Sequence, residues 1–148
     1  MQKRVLSLLV DNTAGVTTRV SGLFSRRGYN IDSITGGVTA DDRFSRITVV
    51  CSGDELILEP DNSVCHELLM VKVSARPEQR QGIISIADIF HAKVVDVSKE
   101  SLILEMTGTH NKLEAFIDLM KDYEILEMAR TGVTGLSRGS DDVTFFIA

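Results

Sequence analysis

The chain of 148 residues contains no tryptophan, only two tyrosines and two prolines, and only two cysteines. Two widely spaced cysteines do not make the disulfide framework of a small secreted domain. Cys51 ends an apolar pattern, so we expect a small buried thiol there. No apolar run approaches the roughly 20 residues of a membrane span, and the run at residues 5–10 is too short for a signal peptide. We therefore expect a cytoplasmic protein with no membrane partner.

Strong basic character is also missing. The formal net charge is -5 and the sequence pI is about 5.2, which argues against a nucleic-acid partner. The three histidines, His66, His91 and His110, have no metal-ligand spacing with each other or with the cysteines. The glycines at residues 131–135 lack the lysine and the following helix of a phosphate-binding loop. The sequence thus predicts no catalytic centre, no metal site and no cofactor on this chain.

Hydrophobic periodicity predicts two consecutive units. In the first, apolar runs and helical spacing predict strand, helix, strand, strand at residues 3–10, 15–27, 31–39 and 44–51, with Gly28 closing the helix. In the second, strands are predicted at residues 67–75, 93–97, 101–106 and 124–129. Pro77 opens one intervening helix, and Thr109, His110 and Asn111 are capping candidates for the other. The order βαββαβ predicts a ferredoxin-like antiparallel sheet with both helices on one face.

The first unit lacks the second half of this plan. A helix that begins at residues 55–59 stops at Pro60, and a further helix and strand need about 17 residues. Either a partner covers the gap or a piece of the natural chain is absent. We predict a first domain at residues 1–59, a linker at 60–65, a second domain at 66–139 and a tail at 140–148.

The segment from Asp11 to Val16 is the best candidate for a binding site. It is a polar, glycine-containing turn from a strand into a helix, where exposed backbone N–H groups favour an anion. With Asn30 beyond the helix, it suits a small carboxylate ligand held beside apolar side chains. A plainer interpretation is that Asn12 and Thr13 cap the helix while Gly15 provides turn geometry. Gly22, within the helix, marks either an exposed position or close packing.

Three longer motifs make the pattern specific: LFSRRGYNIDSIT at residues 23–35, LLMVKVSA at 68–75 and ARTGVTGLSRG at 129–139. With them, residues 4–139 resemble the small regulatory subunits of acetolactate synthase, also called acetohydroxyacid synthase. The resemblance implies an N-terminal ACT domain and a C-terminal ACT-like domain, that is, two tandem ferredoxin-like units of the α+β class. It also implies a homodimer that has no catalytic activity of its own. The helix and strand missing after residue 59 are the one place where the chain departs from the family.

The resemblance also implies partners and a ligand. Such subunits bind a large catalytic subunit that uses thiamine diphosphate, Mg²⁺ and FAD to condense two pyruvates, or pyruvate with 2-oxobutyrate. They raise its activity and make it sensitive to feedback by valine, or by leucine or isoleucine.

The implied effector site lies between two protomers. Its residues are Asn12, Ala14, Gly15 and Val16 of one protomer and Asn30 and Ile31 of the other. Amides near Gly15 would hold the carboxylate, and the Asn12 and Asn30 carbonyls would accept from the ammonium group. Val16 and Ile31, with Ile34, would surround the aliphatic side chain.

Two other functions fit the fold. The first is a stand-alone ACT-domain sensor that regulates a different enzyme or a transcriptional response. The second, a ferredoxin-like RNA binder, needs aromatic residues on the central strands. The predicted third strand carries Ile47, Val49 and Val50 instead, so RNA binding is disfavoured.

Overall fold

The computed structural model of the protein describes residues 3–52 and 62–140. The chain divides into two compact units, one made of Met1–Cys65 with Gly132–Ala148 and the other of His66–Thr131. The helices and strands of the described part follow in the order β1 (Lys3–Asp11), α1 (Val16–Arg26), β2 (Asn30–Val38), β3 (Phe44–Ser52), β4 (Ser63–Ser74), α2 (Pro77–Phe90), β5 (Lys93–Val97), β6 (Ser101–Gly108), α3 (His110–Met120), β7 (Ile125–Arg130) and β8 (Thr134–Ser137).

The first unit is built on a three-stranded antiparallel sheet with the order β1-β3-β2. One face of this sheet forms a core with α1, because alternate strand residues turn the same way. The buried core residues are Leu8, Val10, Val20, Ile47, Val49 and Cys51. Cys51 is 4% exposed, and burial raises the pKa of its thiol, which confirms the expected buried cysteine.

The second unit has the complete βαββαβ order, with β4 and β6 in the centre of its sheet and β5 and β7 at the edges. Alternate residues of β4 and β6 join both helices in one core, so α2 and α3 cover the same face. This core contains Leu69, Val71, Val73, Leu102, Leu104, Met106, Ile83, Ala87, Leu113, Phe116, Ile117 and Met120. The predicted α+β class with ferredoxin-like units is confirmed.

The helix ends follow local sequence. Pro77 is the first residue of α2, as predicted, and Gln79 accepts a hydrogen bond from the Arg76 backbone N–H at 3.3 Å. Thr109 is the N-cap residue of α3, but it makes no side-chain capping bond. The α2 helix ends at Phe90 and is followed by its C-cap residue His91, whose φ of 57° is in the left-handed region.

Two short pieces of strand are not visible in the apolar pattern. β4 begins at Ser63, inside the segment predicted as a linker, and β8 pairs with β4. Beside this pairing, the Arg138 N–H donates to the Asn62 carbonyl at 2.8 Å. The pairing joins segments about 70 residues apart, so neither piece has a local signal.

The predicted helix start at residues 55–59 and most of the predicted tail lie outside the described residues. The predicted domain boundaries at 59, 65 and 139 stay predictions.

Candidate functional site

The loop that joins β1 to α1 is open to solvent. Residues 12–15 are exposed, and Gly15 is the N-cap residue of α1 with φ +81°. Among the residues that the structure describes, no side chain makes a capping bond to the N-terminus of α1. The interpretation that Asn12 and Thr13 cap the helix is therefore wrong, whereas the turn role of Gly15 is correct. The Val16 N–H, the first of α1, donates to the Thr13 carbonyl at 3.4 Å, and the N–H groups that follow it in the first turn can bind water or a ligand.

Asn12 is held by the turn between β2 and β3. Its backbone N–H donates to the Arg43 carbonyl at 2.7 Å, and its side-chain Nδ2 donates to the Asp42 carbonyl at 2.9 Å. Its Oδ1 accepts from the Ser45 hydroxyl at 3.1 Å. An amide oxygen has a second lone pair, so Asn12 can still accept one hydrogen bond from a ligand. Sequence reasoning did not find this role, because the turn is about 30 residues away.

An ion pair stabilises the same turn. Arg43 Nη2 lies 2.6 Å from Asp41 Oδ2, and Arg43 Nε lies 3.0 Å from Asp41 Oδ1. The hydrogen bonds from Arg43 lower the pKa of the Asp41 carboxyl and raise that of the Arg43 guanidinium. Arg43 is exposed, and its ion pair with Asp41 orders the turn that holds Asn12.

The second group of predicted residues follows the other end of α1. Gly28, with φ +73°, donates to the Ser25 carbonyl at 3.2 Å, and Tyr29 donates to the Phe24 carbonyl at 3.1 Å. This is a Schellman motif, and the Phe24 and Tyr29 rings pack edge to face with centroids 6.3 Å apart. The motif fixes where β2 begins, and so it fixes Asn30 and Ile31.

The two groups lie at opposite ends of the sheet within one chain. Asp11, next to Asn12, pairs with Phe44 at the start of β3, whereas Asn30 pairs with Ser52 at its end. Eight residues of strand separate these positions, which corresponds to about 26 Å. The structure thus groups Asn12, Ala14, Gly15 and Val16, and it does not bring Asn30 and Ile31 of the same chain to them.

The apolar candidates are only partly buried. Val16 and Ile31 are half-buried and pack against the core of the first unit, and Ile34 is 37% exposed. The first turn of α1 contains no acidic residue, so no carboxylate there opposes an anion at the helix N-terminus. Each group therefore offers polar backbone or amide atoms next to apolar surface.

A second polar cluster was missed by sequence reasoning. Glu67, with a side chain only 5% exposed, accepts from Arg130 Nε and Nη2 at 3.1 Å each, and it lies 3.1 Å from His110 Nδ1. Arg130 Nη1 also donates to Glu114 at 2.6 Å. Burial alone would lower the pKa of Arg130, but Glu114 and Glu67 together raise it. The cluster joins β4, α3 and β7 and satisfies a buried carboxylate.

Neither cluster has the composition of a metal centre. In residues 3–52 and 62–140 there is no group of three histidine, cysteine or acidic side chains that could hold a metal ion. None of the helices in the same ranges has the length and apolar character needed to cross a membrane.

Two family models divide the chain between them. The AHAS small subunit-like ACT domain matches residues 6–59, and the small subunit of acetolactate synthase matches residues 66–139. The chain is thus a tandem ferredoxin-like protein whose first unit is of the ACT type.

The relatives extend this match over nearly the whole chain. It is 42% identical over 156 residues to a probable acetolactate synthase small subunit of Archaeoglobus fulgidus, covering 93% of this chain and 98% of the relative. It is 44% identical over 153 residues to the acetolactate synthase small subunit of Mycolicibacterium smegmatis, covering 90% of each. The crystal structure of the acetolactate synthase small subunit from Thermotoga maritima has a TM-score of 0.85 and 33% identity, covering 95% of this chain and 100% of that chain. This chain belongs to the acetolactate synthase small-subunit family.

Proposed function

We propose that this chain activates the thiamine-diphosphate-dependent catalytic subunit of acetolactate synthase and makes it sensitive to feedback by valine. It performs no chemistry itself in this role and binds no cofactor, whereas the catalytic subunit uses thiamine diphosphate, Mg²⁺ and FAD. It acts in the cytoplasm as a homodimer. The observation that carries the effector part is the N-terminus of α1, which has no side-chain cap and begins in an exposed loop.

The ligand chemistry follows from that loop. Backbone N–H groups near Ala14, Gly15 and Val16 bind the carboxylate, because a helix N-terminus favours negative charge. The ammonium group donates hydrogen bonds to the Asn12 side-chain oxygen, through its second lone pair, and to the Asn30 side-chain oxygen. Val16 and Ile31 contact the aliphatic side chain, which suits a small apolar amino acid.

The register explains why this function needs two copies. Asn12 and Asn30 of one chain are about 26 Å apart along the sheet, so one ligand cannot touch both. β2 is an edge strand of the described three-stranded sheet. A two-fold axis at this edge reverses the second copy, so that the Asn12 end of one sheet approaches the Asn30 end of the other.

Mixing two defective variants tests this shared site. We expect Asn12→Ala and Asn30→Ala each to weaken valine binding in calorimetry. When the two are refolded together, heterodimers contain one intact site, so about a quarter of all sites should recover normal affinity.

A mixture of Asn12→Ala with Val16→Ala is the matched control, because both changes lie on the same side of the site. It should recover nothing. Recovery in the control, or none in the test mixture, would contradict the two-chain site.

Association with the catalytic subunit is a separate test. We expect the immobilised chain to retain the thiamine-diphosphate-dependent subunit from the same source and to raise its rate of acetolactate formation. If it neither retains nor activates that subunit, with or without valine, the proposal fails and the chain is a sensor for another process.

A further inference from the structure

The chain passes from one unit to the other between Thr131 and Gly132. Thr131, the last residue of the second unit, is hydrogen-bonded to β4. The Thr131 N–H donates to the Leu68 carbonyl at 3.1 Å, and the Leu68 N–H donates to the Thr131 hydroxyl at 3.1 Å. Arg130 binds Glu67 and Glu114 as described above. Thr131, to which Gly132 is bonded, is thus held on β4 by two hydrogen bonds to Leu68.

Gly132, the next residue, packs directly on β2 within the first unit. Its φ is +85°, a conformation that favours glycine. A Cβ atom added here would lie 2.8 Å from Ser33 Cβ, 3.0 Å from Ser33 Oγ and 3.4 Å from Thr35 Oγ1. No side chain fits without a shift, so the backbone of Gly132 is in close contact with Ser33.

The contact is on the face of the first sheet that turns away from α1. Ser33 and Thr35 pair with Val50 and Thr48, which alternate along β3 with core residues. On this face Thr48 is only 1% exposed, and so is Ser7, which pairs with it. The segment that begins at Gly132 thus lies on a buried face and not on a loosely covered surface.

Ser33 is close in sequence to the proposed effector residues. It follows Ile31 by two positions and Asn30 by three, and the pairing of β2 with β3 shifts register between Ile31 and Ser33. Such irregularities bend a strand and redirect its side chains. A ligand that reorders Asn30 and Ile31 therefore acts on a short piece of strand that ends at the Gly132 contact.

We propose that Gly132 is the positioning residue that couples effector occupancy at β2 to the second unit. The inference rests on the proposed effector function, and it adds a path by which effector binding reaches the second unit. Reordering of β2 at Asn30 and Ile31 moves Ser33, Ser33 moves Gly132, and the backbone of Thr131 carries the change into β4. Gly132 does not touch the effector.

The test separates effector binding from its consequence. In Gly132→Ala the added methyl group displaces the segment from Ser33. We expect the variant to bind valine with an unchanged affinity in calorimetry. In complex with the catalytic subunit, it should need at least fivefold more valine than the wild type for half inhibition, the lower range of typical allosteric coupling.

Gly139→Ala is the matched control. Gly139 also has a positive φ, +75°, but an added Cβ atom would meet nothing within 4 Å in the part of the chain that the structure describes. It imposes the same kind of backbone strain without the contact, so its valine inhibition should equal that of the wild type.

A double variant provides the rescue. In Ser33→Gly with Gly132→Ala, the serine side chain is removed from one side of the contact and a methyl group is added on the other, so valine sensitivity should return to within about twofold of Gly139→Ala. If Gly132→Ala does not fold, the double variant and Ser33→Gly alone carry the test, since the single change opens a gap and should weaken inhibition.

Three outcomes would contradict the coupling role of Gly132. Wild-type inhibition in Gly132→Ala, equal loss in Gly132→Ala and Gly139→Ala, or a parallel loss of valine binding would each overturn the coupling role. If the wild-type chain binds no valine, the proposed effector is wrong and the coupling role falls with it, an outcome that the wild-type calorimetry alone identifies.

Discussion

Among single residues, two glycines in helices differ only in what surrounds them. A Cβ atom added at Gly22 in α1 would meet no atom of the described residues within 4 Å, whereas one added at Gly82 in α2 would lie 2.5 Å from Tyr123 Oη. Within residues 3–52 and 62–140, close packing of Gly22, one of the two interpretations from sequence, is therefore wrong.

We expect Gly22→Ala to stabilise the chain by about 0.5–1 kcal/mol, because alanine loses less backbone entropy in a helix. Gly82→Ala gains the same propensity but must move Tyr123, so it should gain less or lose stability. Urea unfolding of both variants measures the difference. A loss of stability in Gly22→Ala alone would indicate that a second copy packs on α1.

Among the secondary-structure elements, α3 and β7 are joined through a pH-dependent pair. The hydrogen bond from Arg130 lowers the pKa of Glu114 from its ordinary value of 4.5. A carboxyl with a depressed folded-state pKa stabilises the fold at pH values above its unfolded-state pKa. That contribution is lost as the pH falls through the folded-state pKa.

The wild type should accordingly be more stable than Glu114→Gln at neutral pH, and the difference should shrink as the pH falls below about 4.5. Urea unfolding at several pH values measures it. Asp88→Asn, which removes the same charge from an exposed position on α2, controls for net charge. A difference between wild type and Glu114→Gln that does not change with pH would contradict the assignment.

For the whole molecule, the shared site predicts that association, ligand binding and stability are linked. We expect a homodimer by light scattering, and valine should raise the melting temperature because it binds only the folded state. Valine at about 100 times its dissociation constant contributes roughly 2.7 kcal/mol. D-valine, with the same side chain and the opposite hand, is the control. A monomer, or no change in melting temperature with valine, would contradict this prediction.

Across the whole chain, the elements with a regular apolar pattern were predictable. Most strands and helices begin and end within one or two residues of their predicted bounds, because burial on one face imposes a clear period. β8 was missed since Thr134–Ser137 contains a glycine and only one large apolar residue. The polar cluster at Glu67 was also missed, because its members are 43 and 63 residues apart and leave no local pattern.

The candidate site was predictable only in part. The turn after β1 was located correctly because its glycine and its position before a helix are local features. The hydrogen bonds of the Asn12 side chain to Asp42 and Ser45 depend on strand pairing, and no local feature of the sequence predicts them. The expectation that a helix and a strand of the first unit are missing after residue 59 stays a prediction.

The buried thiol of Cys51 has a practical consequence. It pairs across the ladder with Ile31, and both its burial and its raised pKa suppress attack by a thiol reagent in the closed fold. Modification requires a local separation of β2 from β3, so its rate depends on how often that separation occurs. The rate of Cys51 modification therefore reports local opening at the Asn30 end of β2, and a bound metabolite that stabilises this end should lower that rate.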